Sequence, residues 1–138
     1  MKHLLTIILL SCFTCSYAQL KEEAVLINQR SFLLKQIHIV PETYSVQTLT
    51  GTDLLTVHPY YGEQDKQGRG LVMSFVHSGK YAFVKTSSKQ NDITELVKEL
   101  NKYKLLRDTV IDTNEEVLFL KEHPVPKGYL PPEEFRNY

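Results

Sequence analysis

Hydrophobic and polar positions follow their clearest pattern between residues 71 and 86. Two largely apolar runs, Leu71 to His77 and Lys80 to Thr86, flank Ser78-Gly79, a pair typical of the two-residue turn of a β-hairpin. This turn predicts a register in which Phe75 faces Ala82. Both faces of the hairpin are then largely apolar, so we expect the two strands to lie in the centre of a sheet.

Apolar residues recur at three- and four-residue spacing after residue 92, which is the pattern of an amphipathic helix. Asp92 and Glu95 have the spacing of a capping box, which satisfies unpaired N–H groups at the start of a helix. The sequence therefore predicts a helix from Asp92 to Tyr103 whose apolar face covers the neighbouring hairpin. That face comprises Ile93, Leu96, Val97, Leu100 and Tyr103.

Runs of branched and aromatic residues predict further strands on both sides of these elements. Strand-like residues from Glu23 to Val40 are interrupted by a polar turn at Asn28–Ser31, although a helix from Leu20 is an alternative for the first ten residues. The other predicted strands are Tyr44–Thr50, Leu54–His58, Leu105–Ile111 and Glu116–Leu120. The whole pattern indicates an α+β fold, with an antiparallel sheet of about five to seven strands and one amphipathic helix packed on a face.

Two segments are expected to lie outside the sheet. Residues 62–70 contain three glycines, four charged residues and no apolar residue, which indicates an exposed loop. Residues 123–138 contain four prolines, which favour an extended chain. We therefore expect a single α+β domain over residues 19–122, followed by a Pro-rich extended tail over residues 123–138.

Residues 1–18 have the pattern of a signal peptide. A basic start precedes an apolar run from Leu4 to Leu10, and small residues precede a cleavage point between Ala18 and Gln19. The run is shorter than the roughly 20 residues that span a bilayer, so no integral membrane span is expected. The protein is expected to be exported, to the periplasm or outside the cell. The residues before Cys12 support an alternative, in which cleavage there leaves a lipid anchor.

The charge balance argues against several classes of partner. The chain has 16 basic and 16 acidic side chains, and only one of them, a lysine, lies in the leader. Binding to nucleic acid or to anionic lipid usually requires a basic excess on one surface, so neither is expected. Both cysteines, Cys12 and Cys15, lie in the leader. We therefore expect the exported domain to be stabilised without disulfides and to have no catalytic thiol.

No residue spacing predicts a metal site, a cofactor or a catalytic centre. Four histidines follow the leader, but none of His38, His58, His77 and His123 has the spacing of a zinc motif. The chain also lacks the GxSxG motif of serine hydrolases and a glycine-rich phosphate-binding loop. We therefore expect a non-catalytic protein. A small secreted hydrolase with scattered histidine and carboxylate groups is an alternative.

The string from Val57 to Glu63 is the best candidate for a binding surface. His58, Tyr60, Tyr61 and Glu63 place an imidazole, two amphipathic rings and a carboxylate beside the predicted loop, a composition that suits contact with a ligand. The alternative is structural: the intervening proline ends a strand, and one tyrosine packs inwards.

The tail is a second candidate for binding. Proline holds the backbone extended in advance, and Tyr129 and Phe135 are suited to anchor a partner. In the alternative, the apolar side chains of the tail fold back and cover the domain's own sheet.

These observations favour a small exported binding or interaction protein without catalytic activity. Its expected partner is an unknown protein or a small amphipathic ligand, because the charge balance disfavours a polyanion. One alternative is a lipid-anchored accessory subunit of a cell-envelope assembly, and the other is the small secreted hydrolase.

Overall fold

The computed structural model describes residues 20–39, 42–61, 69–107 and 109–131. Six strands form one antiparallel sheet in which each strand pairs with its neighbour in sequence. The predicted α+β class and the expected number of strands are confirmed. The strands are β1 (Glu22–Ile27), β2 (Arg30–His38), β3 (Thr43–Gln47), β4 (Asp53–Tyr61), β5 (Arg69–Phe75) and β6 (Tyr81–Lys85).

Two helices and a short two-stranded sheet follow the main sheet along the chain. They are α1 (Asp92–Lys102), β7 (Leu106–Arg107), β8 (Val110–Ile111) and α2 (Thr113–Glu122). Leu96 and Leu100 of α1 and Phe119 of α2 join one apolar cluster with the strand residues, so both helices pack on the same face of the sheet. We call this face the helix face and the opposite one the rear face.

The core lies between the helix face and the two helices, because alternate residues of each strand point towards the helices. Phe75 of β5 meets Phe119 of α2 edge to face, with ring centroids 6.3 Å apart. Burying each large apolar side chain of this kind stabilises the fold by roughly 1.5–3 kcal/mol. The strand side chains buried there are Ile27, Phe32, Leu34, Val46, Leu55, Val57, Leu71, Met73, Phe75, Ala82 and Val84.

Asn28 and Gln29 alone form the turn between β1 and β2, where four residues were predicted. Their φ angles of 52° and 65° belong to the turn that matches the twist of antiparallel strands. The N–H of Asn28 donates to Asn101 Oδ1 (2.7 Å), and its side-chain amide donates to the Tyr103 carbonyl (3.2 Å). The end of α1 therefore holds this turn. The alternative of a helix in this part of the chain is wrong, because strand β1 occupies it.

The predicted hairpin of β5 and β6 is confirmed, but its register differs by two residues. Ala82 faces Met73 rather than Phe75. Residues 76–80 connect the two strands, and not the Ser78-Gly79 pair alone. A shift by two residues leaves every side chain on its predicted face, since successive strand residues alternate between faces.

The residues that connect β5 and β6 are held by other elements. The N–H of Val76 donates to the Leu54 carbonyl (3.1 Å), which extends the pairing with β4. The Ser78 hydroxyl donates to Glu116 Oε1 (2.6 Å), and His77 Nε2 lies 2.8 Å from Glu116 Oε2. These contacts hold the five-residue loop in place of the predicted two-residue turn.

Helix α1 has the predicted apolar stripe and ends one residue earlier than expected. Its central side chains are fully buried, and those on either side of them are half-buried, so a single face of the helix covers the sheet. The buried pair is Leu96 and Leu100, and the flanking pair is Ile93 and Val97.

The predicted capping box of α1 is wrong. The Asp92 carboxylate accepts hydrogen bonds from the Arg69 guanidinium (2.7 Å) and the Thr86 hydroxyl (2.6 Å). The Glu95 carboxylate accepts the N–H and the hydroxyl of Ser87 at 2.9 and 2.7 Å. Both acidic residues therefore tie the helix to the end of the sheet and do not cap each other's backbone.

A second helix replaces the strand predicted over Glu116–Leu120. Asp112 begins α2, and its carboxylate accepts the N–H groups of Asn114 and Glu115, both at 3.0 Å. Asp112 and Glu115 have the same spacing that predicted the start of α1. The strand predicted over Leu105–Ile111 is also wrong in extent, because only the two-residue strands β7 and β8 pair there.

Strand β4 continues through Pro59, where the strand was predicted to end. The Leu54 carbonyl accepts the N–H of Val76 beyond the end of β5, so even-numbered β4 residues bond towards β5 and odd-numbered ones towards β3. The Pro59 nitrogen thus points towards β3, whose pairing with β4 ends at Tyr44 and Val57. Its missing N–H costs no hydrogen bond at this position.

Arg69 and Gly70, predicted to lie in the loop, begin strand β5. A Cβ atom on Gly70 would lie 2.4 Å from the Phe83 ring and 2.5 Å from the Val84 carbonyl oxygen, so any larger residue requires the ring or the neighbouring strand to shift. The remainder of the predicted loop, residues 62–68, lies outside the described residues.

The predicted leader, with Cys12, Ala18 and Gln19, lies outside the described residues. Within the part of the chain that the structure describes, no helix has the length and apolar character needed to cross a membrane.

Candidate functional site

Five ring-bearing side chains lie together on the rear face of the sheet. Strand β4 contributes His58 and Tyr60, and β6 contributes Tyr81 and Phe83, since alternate residues of a strand share a face. The fifth is Tyr129, from the segment that follows α2. We call these five residues the aromatic cluster.

The segment after α2 reaches the rear face by crossing the β6 edge of the sheet. At that edge the His123 carbonyl accepts the N–H of Phe83 (3.0 Å). The His123 ring stacks on Phe119 with centroids 4.0 Å apart, and its Nε2 lies 3.0 Å from Glu99 Oε1. The chain is therefore fixed where it leaves the helix, and it then places Tyr129 over the sheet.

Tyr129 is the centre of the aromatic cluster. Its hydroxyl lies 2.6 Å from Nε2 of His58, which is only 4% exposed. The rings of Tyr60 and Tyr81 meet the Tyr129 ring edge to face at 5.9 and 6.0 Å. Tyr60 also contacts Phe83 at 5.6 Å. Residues 123–131 therefore cover the domain's own sheet, as in one of the two alternatives for the tail.

Burial controls the protonation of this cluster. It lowers the pKa of His58 to about 4, because a charged imidazole is poorly solvated there. It also raises the pKa of Tyr129, and the nearby Tyr81 and Tyr60 add to this effect. Both groups are neutral at physiological pH. A base with so low a pKa is poorly matched to proton transfer near neutral pH, and the arrangement suits packing better.

The structure places three of the sequence-predicted site residues together. His58, Tyr60 and Tyr129 belong to the aromatic cluster. Tyr61 is the last residue of β4. Glu63 and Phe135 lie outside the described residues.

A cavity of about 700 Å³ opens on the helix face at the far end of the sheet from the β5–β6 loop. Its apolar walls come from Leu34 of β2, Pro59 of β4, Leu71 of β5 and Ile93 of α1. Single drug-sized ligands fill cavities of roughly 300–1,000 Å³ with mostly apolar walls. The cavity therefore has the size of a small-molecule site and a partly apolar lining.

The rim of the cavity is acidic. Glu23 of β1, which lies on the helix face, and Glu42, just before β3, lie around it, and Lys21 is the one basic residue among its described lining residues. The Tyr44 hydroxyl donates to Glu42, and burial together with that hydrogen bond raises the pKa of Tyr44. The rim therefore favours a ligand that has a positive charge.

Asp92 closes the helix end of the cavity. Its carboxylate is paired with Arg69 and Thr86, so its charge is balanced within the protein. The free negative charge thus lies on the β1 side of the cavity, away from the start of α1. A basic group of a ligand is expected to face β1.

Sequence reasoning did not predict the cavity residues. They come from five separate strands, the segments between them and a helix, and the rim carboxylates Glu23 and Glu42 are far apart in sequence. Strand alternation could have placed Leu34 and Leu71 on the same face of the sheet. The contribution of Pro59 was missed because β4 was wrongly expected to end at this proline.

Among the residues that the structure describes, no group of three or more histidine, cysteine or carboxylate side chains is arranged to hold a metal ion. Comparisons with known protein families, with curated proteins and with solved structures each find no match.

Proposed function

We propose that this chain is a small exported binding protein without catalytic activity, and that its binding site is the cavity between β1, β4, β5 and α1. The observation that carries the proposal is a cavity of about 700 Å³ with apolar walls and an acidic rim. The ligand that fits it is amphipathic, with an apolar body and a basic group.

The apolar walls supply the affinity. Leu34, Leu71 and Pro59 are held by the sheet, and Ile93 by the first turn of α1, so the cavity exists before a ligand binds. A preformed site loses little conformational entropy on binding. Each methylene group that leaves water contributes about 0.8 kcal/mol.

The acidic rim supplies the selectivity. Glu23 and Glu42 outnumber Lys21 around the opening, so an anionic ligand of the same shape is repelled while a cationic one is attracted. At partly exposed positions each such charge contributes about 0.5–1 kcal/mol.

The aromatic cluster supports the cavity from the opposite side of the sheet. Tyr60 lies on the rear face, next in sequence to Pro59, and its contacts with Phe83 and Tyr129 fix this end of β4. In this proposal Tyr60 positions the cavity wall and does not itself touch the ligand.

The contacts of the buried ionisable groups support the absence of catalysis. Asp92 is held by Arg69, and Glu116 is held by Ser78 and His77. These contacts give the carboxylates structural roles. A catalytic group needs access to a substrate and a pKa near the working pH.

Titration with decyltrimethylammonium and with decanoate, both below their micelle-forming concentrations, tests this function. The two probes share an apolar chain and differ in charge. We expect single-site binding of the cationic probe by calorimetry, with chemical-shift changes at Leu71 and Ile93, and much weaker binding of decanoate. The Glu23→Gln, Glu42→Gln double variant is expected to bind the cation roughly five- to thirtyfold more weakly.

A Glu115→Gln variant is the matched control, because Glu115 lies in the first turn of α2, outside the cavity lining. It removes one negative charge and is expected to leave the affinity unchanged. Equal binding of the two probes, or equal affinity in the double variant and the wild type, contradicts the proposed site.

The exported location rests on the leader over residues 1–18. The mass of the native protein tests it. A chain that begins at Gln19 supports export of the free domain. A chain that begins at Cys12 with added acyl mass replaces it with the lipid-anchored alternative.

A further inference from the structure

The two edges of the main sheet differ in how they are covered. At the β6 edge, the N–H of Phe83 donates to the His123 carbonyl, so the protein's own chain closes part of that edge. Strand β1 forms the other edge, with β2 as its one partner in the sheet. Edge strands left open in this way are templates for pairing with another chain.

The direction of the β1 backbone groups follows from one hydrogen bond. The Lys21 carbonyl accepts the N–H of Gln36 at 2.7 Å, so odd-numbered residues of β1 bond towards β2. The N–H and C=O groups of Glu22, Ala24 and Leu26 therefore point away from the sheet. Among the described residues, no hydrogen bond reaches these groups.

The row of unpaired backbone groups along β1 ends at Asn28, the next even-numbered residue. The N–H of Asn28 also points outwards, and it donates to the side chain of Asn101 in α1. The open edge is thus the length of β1 itself. Its second half, Ala24 to Ile27, has none of the charged residues, prolines or bulges that usually protect an edge, and Leu26 is 63% exposed.

We propose that β1 pairs antiparallel with β1 of a second copy of this chain, joining the two six-stranded sheets into one. The two-fold axis passes beside Ala24, which faces the Ala24 of the second copy. Glu22 then faces Leu26 of the second copy, and Glu23 faces Val25.

The order of residues in β1 selects this register. All three outward-pointing residues, Glu22, Ala24 and Leu26, find hydrogen-bonding partners in it, and no carboxylate lies directly opposite a carboxylate. A shift by two residues in one direction places Glu23 opposite Glu23, and like charges in such a pair are destabilising. A shift by two in the other direction places Glu22 opposite Asn28, whose N–H is already bonded to Asn101.

The side chains on the rear face also favour a second copy over an unrelated strand. Ala24 lies opposite Leu33 of β2 within one chain. Pairing across the axis therefore makes a continuous apolar row from Leu33 through both alanines to the second Leu33. In the row on either side, Glu22 lies between Leu26 of the second copy and Lys35 of its own chain.

Sedimentation equilibrium of the purified protein over a wide concentration range tests this pairing. We expect a monomer–dimer equilibrium in the wild type. The Ala24→Pro variant is expected to be a monomer, because proline removes an outward N–H that has no role in the described fold. The matched control, Ala24→Thr, keeps the N–H and is expected to form the dimer.

A charge pair at one position tests the register and does not depend on the proline variant. Leu26→Glu places a carboxylate opposite Glu22 of the second copy, and we expect its dissociation constant to rise roughly tenfold. Leu26→Lys places an ammonium there and is expected to dimerise at least as tightly as the wild type. A wild type that is monomeric throughout, a dimer that persists in Ala24→Pro, or equal effects of the two Leu26 variants overturns the proposal. In those outcomes the edge either has another occupant or has none.

Discussion

Nε2 of His58 lies 2.6 Å from the hydroxyl of Tyr129, although 71 residues separate the two in sequence. The contact joins the middle of the sheet to the segment that follows the last helix. It buries an imidazole among aromatic rings, and this burial gives the fold a measurable dependence on pH.

We expect the free energy of unfolding to fall as the pH is lowered from about 6.5 to about 4. The unfolded chain protonates His58 near its ordinary pKa of about 6.5, whereas in the folded chain burial holds this pKa at about 4. Between these values the unfolded state binds more protons, so stability decreases by about 3 kcal/mol in total. Urea denaturation at several pH values measures this loss.

The difference between the wild type and a His58→Gln variant isolates this effect from other titrations. Glutamine does not titrate, so the variant should lose less stability over the same range. His38→Gln is the control, because His38 is exposed and its replacement should leave the acid loss intact. Parallel curves for the wild type and His58→Gln argue against the buried imidazole as the cause.

Truncation of Tyr129 is expected to destabilise the fold in two separable steps. Tyr129→Phe keeps the ring contacts with Tyr60 and Tyr81 and removes the hydrogen bond to His58, at a cost of about 1 kcal/mol. Tyr129→Ala also removes the ring, for a total of about 3 kcal/mol. Chemical denaturation measures both values.

Titration by NMR gives a second measure of the same contact. In Tyr129→Ala, water reaches His58, and its pKa should rise from about 4 towards about 6.5. Leu130→Ala serves as the control, since Leu130 is 76% exposed and should change stability by less than about 0.5 kcal/mol. An unchanged His58 pKa in Tyr129→Ala means that Tyr129 does not shield the imidazole.

Gly70→Ala is expected to destabilise the protein by about 1–3 kcal/mol, because the new Cβ overlaps the Phe83 ring and the Val84 carbonyl. Combining it with Phe83→Ala should recover part of this cost, since the ring is one of the two obstacles. A double-mutant cycle measures the coupling. Strict additivity of the two changes contradicts the close packing of β5 against β6 at this point.

Glu116→Ala is expected to cost about 2 kcal/mol, because it removes the acceptor that holds Ser78 and His77 in the β5–β6 loop. The neighbouring Glu115→Ala is the control and should cost much less, since Glu115 is only half-buried. Hydrogen exchange of the amides of residues 76–80 should accelerate in Glu116→Ala alone. Equal exchange in the two variants rules out this link between α2 and the loop.

The sheet and α1 could be predicted because their patterns are local. The apolar runs of β5 and β6 indicate burial on both faces, and the three-four spacing of α1 indicates burial on one face. The start of α2 had an equally clear capping signal at Asp112, but its apolar residues do not form one stripe. Val117 and Leu118 are 64% and 44% exposed, so the helical period was absent from the sequence of α2.

The site was less predictable than the fold. The composition around Tyr60 predicted a binding surface, with inward packing of one tyrosine as the alternative, and the sequence left open whether the tail folds back. The partner of His58 depends on where the chain crosses the β6 edge, which only the His123 carbonyl and the Phe83 N–H determine. The cavity depends on the path of β4 beyond Pro59. Proline usually ends a strand, but here the hydrogen-bonded pairing of β4 with β3 already ends at Val57, so the proline does not interrupt it.

The crossing of the β6 edge has a consequence for biosynthesis. Every strand pair of the main sheet joins neighbours in sequence, so the sheet can assemble as the chain emerges from the ribosome. Tyr129 emerges after all of them. Before Tyr129 emerges, His58 and the rings around it face water. A chain truncated before Tyr129 therefore exposes this apolar surface to chaperones and proteases. The packing of the rear face is therefore completed only after the segment that follows α2 has been made.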